Sequence, residues 1–409
     1  MSHSPRIPNQ RALDLTTPPV IKTIGQRSLI IGVIATVLAL LLAFRNPTEF
    51  FRGYLVSYMA WLGIALGSMA ILMVRHMTGG GWGSIIRRVL GAAMRTLPLL
   101  FLLFIPYAIF AVKRIYPWAI PVDSVSNPLI REHLEKHGFI QGYLNYRGFV
   151  IRAVIYFAIW FVLQYMLTKL SFEHNRPPMS NNSALAKKIS APGIILYAFT
   201  ISFAVIDWVM SLDPSWISTI YGLIFLAGEL ISALAFAIVI ERILFKYEPM
   251  KTLLKRNYVH DHGNFMLAFI MVWAYFSFSQ WLIMWSGNLP DEITWYFRRL
   301  HGGWQYVGLF LALFHFFVPF FILLFRPIKR DVTKLVWIGA WMLIVRYIDL
   351  FWHIEPSFGQ NFTVTLSDLV IPFAMGGIWI WYYCRNLSSV PLLPVYDATA
   401  QDVLEPAHE

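Results

Sequence analysis

Apolar runs close to the length of a bilayer crossing, separated by short polar stretches, recur from residue 28 to residue 384. A helix needs about 20 residues to cross a hydrocarbon core of about 30 Å. Runs at 28–44, 54–74, 89–112, 149–168, 189–210, 217–240, 263–285, 304–325, 335–353 and 364–384 approach or exceed that length. The pattern predicts an all-α polytopic membrane protein with about ten transmembrane helices. Its punctuation agrees, because Asn46-Pro47, Gly79-Gly80-Gly81, Pro177-Pro178, Asp213-Pro214, Pro290 and Pro327 all fall between runs. Residues 1–27 are polar, carry Arg6, Arg11, Lys22 and Arg27, and lack a small-residue cleavage pattern. They read as an uncleaved N-terminal segment before a transmembrane domain at 28–384, with 385–409 as a C-terminal tail.

Composition strengthens this picture. With 57% hydrophobic, 16% aromatic and 13% charged residues, and a mean hydropathy of +0.58, the chain is too apolar for a soluble protein of its size. Its single cysteine, Cys384, excludes an internal disulfide and any four-cysteine zinc or iron–sulfur site made by this chain alone.

Lysine and arginine concentrate in the N-terminus and in the loops after helices 2, 4, 6 and 8. The positive-inside rule therefore expects both termini in the cytoplasm. The formal charge of +11 reads as a topology signal with some attraction to anionic lipid. No concentrated basic stripe points to nucleic acid. The longest connection, residues 113–148, lies on the outer side and contains a potential short helix at 129–139. Such a loop can contact a partner or simply cap the bundle. No short sequence repeat is visible, although duplicated helix bundles often survive only as weak hydropathy symmetry.

The informative residues are the polar ones inside apolar runs. The stretch RYIDLFWHIEP, Arg346 to Pro356, places Arg346, Asp349 and His353 at helical steps of three and four, hence on one stripe. Such charges are costly in a bilayer unless they pair or face a protein or water-filled interior. Glu229 is expected near the middle of helix 6 and His315 near the middle of helix 8. Asp207 falls close to the outer end of helix 5, and Asp368 near the outer start of helix 10. His260, Asp261 and His262 stand at the inner entrance of helix 7.

Titratable groups at outer, middle and inner depths are what a proton path requires, with Asp207, Glu229, His262, His315, Arg346, Asp349, His353 and Asp368 as candidates. Structural readings stand beside this one: an Arg–Asp clamp between helices for the stripe, and one interhelical hydrogen bond for His315. Arg95 and Arg152 are expected to snorkel or pair. A metal at the His-Asp-His cluster would need a third ligand that the sequence does not supply. A bis-histidine haem needs ligands at matching depths, and His315, His353 and His262 lie at different ones. Neither a phosphate-binding glycine loop nor a nucleophile elbow is present, so no cofactor is expected in this chain.

Three motifs carry a resemblance: IDWVMSLDPSWISTIYG from Ile206 to Gly222, FSFSQWLIMWSGNLPDEITWYFRRLHGGW from Phe276 to Trp304, and RYIDLFWHIEP. From helix 5 to helix 10 the chain resembles the ActF-type integral membrane subunit of bacterial alternative complex III, a quinol:electron-acceptor oxidoreductase, within the NrfD/PsrC-like superfamily. The N-terminal half resembles it in hydropathy and length. The resemblance implies two four-helix bundles, helices 2–5 and 6–9, with helices 1 and 10 flanking. Its implied setting is a bacterial inner membrane. The implied partners are a homologous quinol-binding membrane subunit, an iron–sulfur protein and multihaem cytochrome c subunits, which would carry haem c and iron–sulfur clusters. In related quinol-binding members a histidine lies about two turns before the aspartate matching Asp207. Thr200, Ile201 and Ser202 stand there in this chain. The reading is therefore a non-catalytic, structural and proton-conducting subunit rather than a quinol-oxidising one. A secondary transporter using the buried charges, or a quinol-binding anchor of a molybdenum oxidoreductase, remains open from the residues alone.

Overall fold

The structure, a computed structural model, describes residues 15–125, 128–136, 142–173 and 182–393, together with Asp397 and Val403. Regular structure among the described residues is helical, with no strand. Among the described residues, nine helices are long and apolar enough to cross a membrane. They are α1 (Pro19–Arg45), α2 (Pro47–Thr78), α3 (Gly81–Ile115), α4 (Tyr146–Glu173), α5 (Ser183–Trp208), α6 (Tyr221–Leu244), α7 (Arg256–Gly287), α8 (Trp304–Leu324) and α9 (Val332–Ile354). The tenth expected run forms α10 (Leu366–Leu387). It is less apolar because it holds Asp368, Pro372, Trp379, Trp381, Tyr382 and Tyr383. The chain is an all-α, multi-pass membrane protein.

Several helices outrun their apolar cores. Pro19 takes the first position of α1, where its missing N–H costs nothing, and the exposed Lys22, Gln26 and Arg27 lengthen the helix into what sequence reading leaves as a polar segment. At the start of α2, Pro47 follows Asn46, whose side chain accepts from Glu49 N at 3.2 Å. The start of α9 is capped by Asp331, which accepts from Thr333 N at 2.8 Å. Hydrogen bonding from Thr333, its side chain first, holds the Asp331 carboxyl below the usual carboxylate range.

Burial sorts the helices into centre and periphery. Of each apolar window, 89% is buried in α2 and 78% in α6, against 17% in α1 and 22% in α7 and α8. The pair α2 and α6 forms the axis of the molecule. Against it pack α3, α5, α7 and α9, while α4 lies on α5 and α8 contacts α7 and α9. Flanking this assembly, α10 packs on α2 and pairs along its length with α1.

The connection after α3 includes a short helix, Pro128–Lys136, near the expected place. Val125, Ile130 and Leu134 form a small apolar cluster there with Trp118, Ile120 and Val122, joined to the main core through Trp118. The ends of the described segments, at Leu15 and Leu392, meet. Leu392 N donates to Leu15 O at 3.0 Å, and the buried Asp397 pairs with Arg87 at the start of α3. The C-terminal tail thus returns to the helices at this point.

Candidate functional site

Spacing alone puts Arg346, Asp349 and His353 on one face of α9, and the structure brings them together. All three are buried. Arg346 pairs with Asp349 within the same helix, so the ion pair is not the interhelical clamp considered from sequence. His353 Nδ1 donates to Asp349 O at 2.8 Å and lies 3.4 Å from Asp349 Oδ1. That bond fixes the ring's orientation and tautomer, with Nε2 as the other nitrogen.

Arg346 reaches α6 with its guanidinium, whose Cζ lies over the ring of Phe225 at 5.3 Å. The neighbouring Gly228 makes this approach possible, because a Cβ there would stand 2.1 Å from Arg346 Cζ. The next residue is Glu229. Tyr197 donates its hydroxyl to Glu229 Oε2 at 2.6 Å, while Glu229 Oε1 is buried without a partner. From the other side α2 closes on Glu229 through Gly67, where a Cβ would lie 2.1 Å from the Glu229 carbonyl oxygen. Two glycines therefore let α2, α6 and α9 converge on one buried carboxyl next to one buried ion pair.

His315 lies inside a π-helical turn, Ala312–Phe317. Pro319, one turn on, cannot donate to the His315 carbonyl. Its imidazole meets Trp273 edge-on at 3.8 Å, and neither ring nitrogen has a hydrogen-bond partner. The interhelical hydrogen bond considered for His315 is absent. At the opposite face of the molecule, His262 bonds Glu241 Oε2 at 3.0 Å and Trp82 O at 2.9 Å. This ties the start of α7 to the end of α6 and the start of α3. Asp368 accepts from Thr365 N and Oγ1, both at 2.8 Å, in a capping box on α10. Asp207 accepts from Arg152 Nε at 2.8 Å and Tyr156 OH at 2.7 Å. Arg152 thus pairs, as does Arg95, which bonds Asn386 O and Ser389 Oγ. Of the eight candidates, Glu229, Arg346, Asp349 and His353 gather along the α6–α9 contact, with His315 behind Trp273. Asp207, His262 and Asp368 belong to separate polar groups.

Sequence reading missed a short repeat. Ile206-Asp207 through Asp213-Pro214 and Ile348-Asp349 through Glu355-Pro356 share the pattern Ile-Asp, five residues, acid-Pro. Each closes a long helix and leads into a 3₁₀ turn. The structure repeats as well: Ser211 Oγ donates to Asp207 O at 2.6 Å, matching the His353 bond to Asp349 O. Asp213 pairs with Arg298 at 2.7 Å, and Glu355 pairs with Arg52. Aligning the two Ile-Asp pairs would have exposed this signal.

Around the second copy, Asp349, Trp352 and His353 line a cavity of about 710 Å³ together with residues of α6, α7 and α8. These features define a multi-pass helical membrane protein with an internal line of titratable groups. In comparisons with known proteins, no family model and no curated sequence matches the chain.

Proposed function

We propose that the chain is an ActF-type integral membrane subunit of a bacterial alternative complex III. It would sit in the plasma membrane with both termini in the cytoplasm, helices 2–5 and 6–9 forming its two bundles. The reading rests on the three sequence motifs, and the repeated helix end at Asp207 and Asp349 supports a duplicated architecture. In this reading a homologous membrane subunit oxidises quinol. An iron–sulfur protein and multihaem cytochrome c subunits carry the electrons onward, and this chain assembles the complex and conducts protons.

The observation that carries the proton role is that the buried Glu229 stands next to Gly228, on which Arg346 packs, with Asp349 and His353 joined to Arg346 along α9. Carboxylates and imidazoles exchange protons, whereas arginine does not, so Arg346 serves to hold Asp349. Glu229 keeps one oxygen unpartnered, and in a bilayer such an atom has no bulk water to satisfy it.

Affinity purification of the tagged chain from its native membrane tests the assignment. Multihaem cytochrome c, an iron–sulfur protein and a second membrane subunit should accompany it. Recovery of the chain alone, with solute uptake when reconstituted, would assign the buried charges to a transporter instead.

A further inference from the structure

Another cavity, of about 1180 Å³, lies at the end of the bundle where α6 and α8 finish and α7 and α9 begin. Two loops enclose it. The loop after α6 brings Lys251 and Lys255 and runs into Arg256 at the start of α7, while the loop after α8 brings Arg326 and Arg330. The acid among the described lining residues is Asp331. It is already engaged, since it caps α9 by accepting from Thr333 N at 2.8 Å and lies 3.9 Å from Lys334 Nζ. Lys251, Arg256, Arg326 and Arg330 are left without an ion pair among the described residues.

Three features set this cavity apart from an ordinary solvated basic loop. Arg330 Nε is withdrawn from solvent without a hydrogen-bond partner, whereas the neighbouring Lys329 donates to Asn264 Oδ1 at 2.7 Å. A charged donor in that position is costly until an acceptor meets it. No side chain caps the start of α7, and the open N–H groups and dipole of a helix start favour an anion. Arg256 and Asn257 bring that start to the cavity wall. The third feature is an apolar track. Phe317, Phe321 and Leu324, at helical steps of four and three, are exposed on one face of α8, and the exposed Phe325 carries the track to Arg326. Phe245, Leu254 and Val332 continue it into the cavity wall.

These features define the chemistry of an occupant. Guanidinium groups stay charged and present paired N–H donors that match phosphate oxygens. A headgroup of net negative charge suits such a wall, whereas a zwitterionic one would add a further cation to it. The track on α8 calls for acyl chains. We infer that this cavity seats the phosphate of an anionic phospholipid between the two basic loops, with its acyl chains laid along α8. A basic recess between helix ends is a setting in which membrane proteins hold anionic headgroups. The site lies at the start of α9, and Asp349 and His353 lie toward its other end. The inference rests on the chain spanning a bilayer and not on the complex proposed above, so either can fail without the other.

Native mass spectrometry of the full-length chain in detergent counts the phospholipids bound and gives their affinities. Phosphatidylglycerol should bind about tenfold more tightly than phosphatidylcholine, equivalent to about 1.4 kcal/mol. Lys251→Gln with Arg326→Gln, both exposed and drawn from the two loops, should lower the phosphatidylglycerol affinity by about the same factor. Lys187→Gln with Lys188→Gln, which removes equal charge from the exposed start of α5, should leave it unchanged. A wash of the native chain with inorganic phosphate separates a lipid from a free phosphate and needs no variant, and phosphatidylglycerol should stay bound through it. Displacement by phosphate overturns the inference. So does equal affinity for the two lipids, or an equal loss in the two double variants.

Discussion

The helix ends at Ile206–Pro214 and Ile348–Pro356 begin from the same plan and finish in different surroundings. In both, an aspartate pairs with an arginine, a side chain one turn later bonds back to the aspartate carbonyl, and a second acid pairs with an arginine from another segment. Around Asp207 the space is filled by Tyr156, Phe157, Trp160 and Trp208: Trp208 meets Tyr156 and Trp160 edge to face, Phe157 meets Trp160 edge to face, and Phe104 lies tilted against Trp208. Around Asp349 the space is the cavity. Two positions differ in kind: Ser211 in the first copy corresponds to His353 in the second, and Met210 to Trp352. The shared residues build a helix end, and the changed ones put an imidazole and an indole on the cavity wall.

The largest effect expected from breaking this comparison is on the second copy. Arg346→Met leaves Asp349 charged and unpaired, and should cost about 3–5 kcal/mol of stability, read as a large drop in the unfolding midpoint in detergent. Adding Asp349→Leu should restore most of it, because removing both partners of a buried pair can be nearly neutral. Arg152→Met should cost less, about 1–3 kcal/mol, since Asp207 keeps the Tyr156 hydroxyl and Arg152 is partly exposed. Equal losses in the two arginine variants would erase the distinction between the copies. In the proposed complex, Asp207→Asn should leave the apparent quinol KM nearly unchanged, and a large rise would place quinol oxidation in the first half of this chain. The smallest effect belongs to Ser211→Ala, at about 0.5–1 kcal/mol for one hydrogen bond. A substantially larger loss would give Ser211 a role beyond its bond to the Asp207 carbonyl.

Helix number, the rough limits of each crossing and the stripe Arg346–Asp349–His353 were legible because a bilayer imposes length and helical periodicity imposes faces. Which groups meet was harder to read. Gly228 and Gly67 look like ordinary small residues in an apolar run, yet they set the distance at which α9 and α2 approach Glu229. Asp368 looked like an intramembrane acid and proved to be a helix cap, a distinction that depends on Thr365 three residues earlier and could have been drawn from the capping-box pattern. The cavity had no local signature, since Gln280, Trp273 and Asp349 come from distant parts of the chain and converge only in the fold.

Proton release per quinol oxidised, measured with the proposed complex reconstituted in vesicles, tests the central claim most directly. The comparison is between the native complex, the double variant Arg346→Met with Asp349→Leu, and Glu229→Gln. The account predicts that both variants assemble and still pass electrons to the acceptor, because no redox centre is touched, while proton translocation is lost. Unchanged proton stoichiometry in both variants would contradict it and leave the buried charges of α6 and α9 as structural contacts.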